Sequence, residues 1–150
     1  LKSYYAHNNS LIGIHKSYVF QLNDTHPILA IPEMMRIMMD EYDMGWDESW
    51  YEVSHAMAFT NHTVMPEALE KWPVNYVQTL IPRCYMIIEE INRRFMADVW
   101  SIYPGQWERI NKLSLIGDNH VRMANLSVYA STHVNGVSAL HSDIIKQTIL

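Results

Sequence analysis

Tyr18-Val19-Phe20-Gln21-Leu22-Asn23-Asp24-Thr25-His26-Pro27 is the stretch on which the fold class turns. Its first five residues are a β-branched and aromatic run that reads as a buried strand, and the turn-forming pair Asn23-Asp24 closes it. Asp24, Thr25 and His26 then stand at the carboxyl end of a strand. Open α/β sheets bind ligands at that edge, because a rigid sheet there holds loops that stay accessible. A helix is predicted to follow, starting between Pro27 and Pro32, since proline is tolerated only in a first turn. Met34, Met35, Ile37 and Met38 give it a broad apolar face. The reading is α/β.

Outward from this unit, the chain reads as mostly helical. Residues 1–17 are rich in Tyr, Asn, Ser and His without strong periodicity and are expected to form a loosely structured edge. Asp47 is a candidate N-cap for a second helix carrying Trp50, Val53 and Met57, which should end near the loop Thr60-Asn61-His62-Thr63. Residues 67–72 suggest a short helix broken at Pro73. The longest element is predicted over residues 77–103, with Val77, Leu80, Ile81, Cys84, Ile88, Ile91, Phe95 and Val99 on one stripe and Pro104-Gly105 as its stop. A helix over 121–130, an extended stretch through Val134-Asn135-Gly136-Val137 and a helix from Ala139 onward complete the pattern. The ten methionines fall at helix-core positions, where Met fills irregular gaps.

Composition narrows the function. With 150 residues, 49% hydrophobic and 18% charged, the chain has the make-up of one globular domain or part of one. It starts at Leu1 and enters patterned sequence at once with no targeting segment, so an excised fragment and a cytoplasmic location are expected. Its longest apolar stretch, 28–39, is interrupted by Pro32, Glu33 and Arg36 and is shorter than the roughly 20 residues of a membrane span. The net charge of -5, with no basic cluster denser than Arg93-Arg94, argues against nucleic acid as a partner. Cys84 reads as a small core residue.

Eight histidines invite a metal reading, but none of their spacings is the i, i+3 or i+4 that turns two imidazoles toward one ion, and no metal is expected. No serine sits in a glycine-flanked elbow, and the five glycines form neither a phosphate-binding loop nor a dinucleotide fingerprint. Two loops remain, Asn23-Asp24-Thr25-His26 and Asn61-His62-Thr63, dense in short hydrogen-bonding side chains of the kind that hold polyhydroxylated sugars. Turn formation and capping explain such loops as well.

At these loops the sequence resembles the α-glucan (glycogen and maltodextrin) phosphorylases. The resemblance is carried by Gln21-Leu22-Asn23-Asp24-Thr25-His26-Pro27 running on through Leu29 to Arg36, by Phe59-Thr60-Asn61-His62-Thr63, and by Pro66-Glu67-Ala68-Leu69-Glu70-Lys71-Trp72-Pro73. Ile91-Asn92-Arg93-Arg94-Phe95, Pro104-Gly105, Arg122-Met123-Ala124-Asn125-Leu126, Val134-Asn135-Gly136-Val137 and Leu140-His141-Ser142 follow in the same order. It covers the chain from about Tyr18 to its end.

What the resemblance implies is a partial N-terminal, sugar-side domain over residues 18–150. That domain would be a predominantly helical fragment of the Rossmann-like first half of a two-domain GT-B-type glycosyltransferase, with the catalytic C-terminal domain absent. The family cleaves terminal α-1,4-glucosidic bonds of glucans with inorganic phosphate, releasing glucose 1-phosphate with retention. Its pyridoxal phosphate sits on a lysine of the second half, so no cofactor is expected in this chain. By similarity His62 serves the reaction without being its nucleophile. Its side chain meets the 6-hydroxyl of the reacting sugar, and its carbonyl faces the charge that develops at the anomeric carbon. Asp24, His26 and Thr63 line that pocket, Ala68 leaves room, Glu67 meets acceptor glucose units and Val137 packs near the hexose.

Many members read Ser-His-Ala-Val-Asn-Gly where this chain has Ser131-Thr132-His133-Val134-Asn135-Gly136, so the role of that histidine does not carry over to Thr132. The family's phosphate-holding cations lie outside the matched region, and the chain alone is expected to be inactive. A homodimeric parent and self-association of the fragment through a face its missing half covers are further expectations. A non-catalytic helical carbohydrate-binding or interaction domain is the alternative reading.

Overall fold

In a computed structural model of the chain, residues 1–62 and 69–136 are described. They form an α/β arrangement around a three-stranded parallel sheet, with a separate three-stranded antiparallel ribbon. The parallel sheet runs β1 (Phe20–Asn23), β2 (Met57–Thr60), β6 (His133–Asn135), with β2 in the middle. The expected strand is therefore present, but it is not buried. Leu22 alone of the four points into the core, while Val19 just before it is 67% exposed, as suits an edge strand. The buried strand is β2, whose Met57, Ala58 and Phe59 are all enclosed.

Between β1 and β2 the chain makes α3 (Ala30–Arg36), a π-helical turn (Ile37–Glu41) and α4 (Trp46–Ala56). Helix α3 starts inside the predicted window, and Ile31, Met34 and Met35 face the core. Helix α4 begins just ahead of the predicted cap, so Asp47 and Glu48 occupy its first turn, where their charge complements the helix dipole. Its end differs more. Met57, read as part of the helix, is the first residue of β2.

The amino-terminal edge is more ordered than residues 1–17 suggest. Helix α1 (Lys2–Asn8) is surface-bound, but α2 (Ile14–Ser17) and the segment before it anchor through Leu11 and Ile14, both buried. Glu52 of α4 clips this segment down. Its carboxylate accepts from the Gly13 N–H at 2.7 Å, the His15 N–H at 3.2 Å and His15 Nδ1 at 2.6 Å.

The predicted long element is two helices, α5 (Val74–Leu80) and α6 (Pro82–Ile102). Pro82 forces the residue before it out of helical geometry, and Ile81 sits at φ -136°, ψ 65°. The break divides the predicted stripe. Cys84, Ile88, Ile91, Phe95 and Val99 are buried along α6, whereas Leu80 is 78% exposed. Helix α7 (Trp107–Leu113) follows, then the ribbon in the order β3 (Lys71–Pro73), β5 (His120–Arg122), β4 (Ile116–Gly117). Lys71 and Trp72, read as the end of a helix broken at Pro73, thus lie with Pro73 in a strand paired with β5. The turn between β4 and β5 is Asp118-Asn119, both at positive φ (52° and 59°), as a two-residue hairpin requires. Helix α8 (Met123–Tyr129) leads into β6. Residues beyond 136, including the helix expected from Ala139, lie outside the described residues.

Candidate functional site

The register of the parallel sheet makes the site. Thr60 pairs with Asn23 on one side and Asn135 on the other, so the three strands end level and their loops leave from one edge. The backbone ladder extends one step past the strands, through Asp24 N–H to the Thr60 carbonyl (2.8 Å) and Asn61 N–H to the Asn135 carbonyl (2.9 Å). Asp24 turns the chain at φ 71°. Gly136 takes φ 72° and lies so close that a Cβ there would be 2.4 Å from the Asn61 carbonyl oxygen. Only glycine fits that crossing.

Two of the loops predicted from sequence, Asn23-Asp24-Thr25-His26 and Asn61-His62, thus converge, although about 40 residues separate them in the chain. Asp24 is half-buried and spends one carboxylate oxygen on its neighbour, accepting from the Thr25 N–H at 2.6 Å and the Thr25 hydroxyl at 3.3 Å. His26 is exposed. His62 is exposed too, and its Nε2 is hydrogen-bonded to Asn23 Oδ1. Thr63, Glu67, Ala68 and Val137 lie outside the described residues.

Two further groups belong to this edge. Asn23 holds His62, and Glu70 accepts from the buried Thr25 hydroxyl with one oxygen and from Trp72 Nε1 at 2.9 Å with the other. The Glu70 carbonyl also accepts from the Met123 N–H at 3.1 Å, so Glu70 joins the first residue of α8 to the loop after β1. These contacts span 39 and 45 residues. Local pattern carries no signal of them; only the sheet register brings the partners together.

Thr132 has a packing role in this chain. Its hydroxyl donates to the Ser54 carbonyl at 2.7 Å and its N–H to the Met57 carbonyl at 2.9 Å, stapling the entry of β6 to the α4–β2 junction. Cys84 is buried away from the edge. Burial, and then the neighbouring Glu33 carboxylate, push its thiol up to about 11, so it stays neutral. Among the described residues no three His, Cys, Asp or Glu side chains are grouped to hold a metal ion.

The described arginines are engaged elsewhere. Arg36 pairs with Glu33, Arg83 with Asp40, Arg93 and Arg94 with Glu90, Arg122 with Asp118, and Arg109 lies over Tyr103. The edge therefore offers directional donors and acceptors at short reach: amide, imidazole, carboxylate and main chain. Such a set suits a neutral polyol better than a phosphate dianion, which calls for cations.

A family model described as carbohydrate phosphorylase matches residues 1–150. The chain is 48% identical over 147 residues to the glycogen phosphorylase of Bacillus subtilis (strain 168), covering 98% of this chain and 18% of that relative. It is 50% identical over 132 residues to the muscle form of glycogen phosphorylase from Homo sapiens, covering 86% of this chain and 16% of that protein. The chain spans less than a fifth of the length of these relatives.

Proposed function

The chain belongs to the carbohydrate phosphorylase family, an enzyme family of glycosyltransferase type, and on that premise we propose that its parallel-sheet edge is the sugar-side wall of a glucan phosphorylase active site. The parent enzyme is a GT-B-type protein with two Rossmann-like halves. It cleaves terminal α-1,4-glucosidic bonds of glycogen or maltodextrin with phosphate to give glucose 1-phosphate. It acts in the cytoplasm as a homodimer. The observation that best supports this reading is His62, held by Asn23 on level strand ends beside Asp24 and His26.

In this reading His62 meets the 6-hydroxyl of the reacting glucosyl unit, with Asp24 and His26 beside it. Thr63 lines the same pocket, Ala68 leaves room there, Val137 packs near the hexose and Glu67 meets acceptor glucose units. Fixed dipoles aimed at developing positive charge lower a barrier without reorganising, and the His62 carbonyl supplies one. Phosphate is the attacking group, and no side chain of this wall is a nucleophile.

Pyridoxal phosphate does not fit the described residues of this edge. The described lysines are Lys2 on α1, Lys16 on α2, Lys71 on β3 and Lys112 on α7, and none of them is hydrogen-bonded or ion-paired to Asn23, Asp24, Thr25, His26 or His62 among the described residues. A phosphate ester without a cationic cradle is held poorly. In this reading the cofactor and the substrate phosphate belong to the rest of the parent, and the chain's part is to bind and orient the sugar.

Titration of the chain with maltoheptaose, followed by nuclear magnetic resonance, tests this. Shifts confined to the loops after β1 and β2, lost in His62→Ala, are expected. Shifts that are absent, or that persist unchanged in the variant, would sink the sugar-wall assignment. The same chain incubated with maltodextrin and phosphate is expected to form no glucose 1-phosphate.

A further inference from the structure

We propose that Asn23 is a positioning residue that fixes His62 in the Nε2–H tautomer, making Nδ1 the acceptor for a hydroxyl of the bound sugar. Asn23 is the last residue of β1 and stands level with Thr60, two residues before His62. The main chain on both sides is pinned, by Asp24 N–H on the Thr60 carbonyl and by Asn61 N–H on the Asn135 carbonyl. Asn23 Oδ1 and His62 Nε2 thus meet from two backbones that cannot drift apart independently. An amide oxygen only accepts, so the hydrogen bond between them requires the proton on Nε2. In a neutral imidazole that leaves the lone pair on Nδ1. No described residue forms a hydrogen bond with Nδ1, and the ring is exposed at the edge.

The consequence is a polarity for the site. A His62 ring locked this way takes a hydrogen from a ligand hydroxyl and gives none, so it selects an alcohol and rejects a ligand atom that can only accept. Without Asn23 both tautomers of the neutral ring are open, and a fraction of the molecules presents Nδ1–H to the sugar instead. Asn23 acts through His62 and need not touch the ligand.

The inference rests on the sugar-wall reading only for the identity of the hydroxyl. Its test is therefore made first without sugar. In the 15N-labelled chain at alkaline pH, where imidazoles are neutral, long-range 1H–15N correlation separates protonated from unprotonated ring nitrogens, and His62→Gln identifies the His62 signals among those of the eight histidines. A fully protonated-type Nε2 and a fully lone-pair-type Nδ1 are expected. In Asn23→Ala both nitrogens should move toward intermediate, averaged positions, and Asn23→Ser, which keeps an acceptor, should return them part of the way.

An Nδ1–H pattern in the unaltered chain, or a pattern that Asn23→Ala leaves unchanged, overturns the inference. With maltoheptaose added, Asn23→Ala is expected to weaken binding roughly five- to tenfold, the loss of one oriented hydrogen bond. A locked tautomer in a chain that binds no glucan would leave the inference standing and defeat the sugar-wall reading. Glucan binding with an averaged tautomer would do the reverse.

Discussion

Two regions of this molecule are built from the same small polar residues and use them in opposite ways. Around the amino end of α8, Asn125 is 5% exposed and directs its amide NH2 at three carbonyls, those of Lys112 (3.1 Å), Leu113 (3.3 Å) and Ser114 (3.2 Å). Asn92 of α6 accepts there from the Leu115 N–H at 2.8 Å and the Ser114 hydroxyl at 3.2 Å. The Asn125 amide thus satisfies carbonyls at the end of α7, while the Asn92 oxygen takes up two donors of the turn that follows. At the sheet edge, Asn23, His26 and His62 are exposed, and only part of their hydrogen-bonding capacity is taken up inside the described protein. Polar groups consumed by the fold hold it together. Those left over on a rigid edge are available to a ligand.

The largest expected effect lies in the consumed set. Asn125→Ala would take a donor from three carbonyls at once, of which that of Ser114 keeps Arg122 Nη1 at 3.1 Å, and about 3 kcal/mol of stability should go with it. Urea unfolding measures this directly, and a loss below about 0.5 kcal/mol would erase the distinction between the two regions. Gly136→Ala comes next, because it attacks the frame of the edge and leaves its ligand groups alone. The new Cβ would be 2.4 Å from a backbone oxygen at a positive φ, and a cost of about 2 kcal/mol is expected. A thermal melt would report it. Loss of sugar shifts in the folded variant would show how far the edge depends on that crossing.

Sequence revealed these regions unequally, for physical reasons. The loop after β1 was legible because a β-branched run stops at Asn23-Asp24, and Asp24 does take the left-handed conformation that such a residue tolerates. Strand β2 was hidden. No glycine or proline separates it from α4, and Met57 falls one helical turn after Val53, so the helix period runs unbroken into the strand. The opposite error joined α5 to α6 across Pro82, where apolar spacing continued but geometry could not. The hairpin at Asp118-Asn119 was missed because strands of two and three residues leave no period to read. Within the site, the sequence places Asn23, His26 and His62 in candidate ligand loops, whereas the hold of Asn23 on His62 and of Glu70 on Thr25 comes only from contacts set by the sheet register.

Glu52 tests whether a buried carboxylate follows the same rule of full consumption. Burial is the largest influence on it and pushes its carboxyl up, but the Gly13 N–H, the His15 ring and the His15 N–H together outweigh this and hold it below the ordinary value. The folded state therefore binds this proton less readily than the unfolded chain. The stability so contributed is present above the unfolded value of 4.5 and is lost as pH falls through the folded one. The acid limb of a stability–pH curve should flatten in Glu52→Gln, and an unchanged limb would place the titration elsewhere.

The smallest effect on stability is expected where the effect on function is greatest. His62 is exposed and its only hydrogen bond to a described residue is to Asn23, itself exposed, so His62→Ala removes little that the fold uses. Its unfolding free energy should stay within about 0.5 kcal/mol of the parent chain, as for surface substitutions generally. If the edge is a sugar wall, the same substitution removes the maltoheptaose response altogether. The paired measurement carries the argument. A variant that unfolds as the parent does but no longer responds to glucan has lost a group held in reserve for a ligand, whereas one that loses more than about 1 kcal/mol would show that His62 belongs, like Asn125, to the part of the protein that is fully consumed in folding.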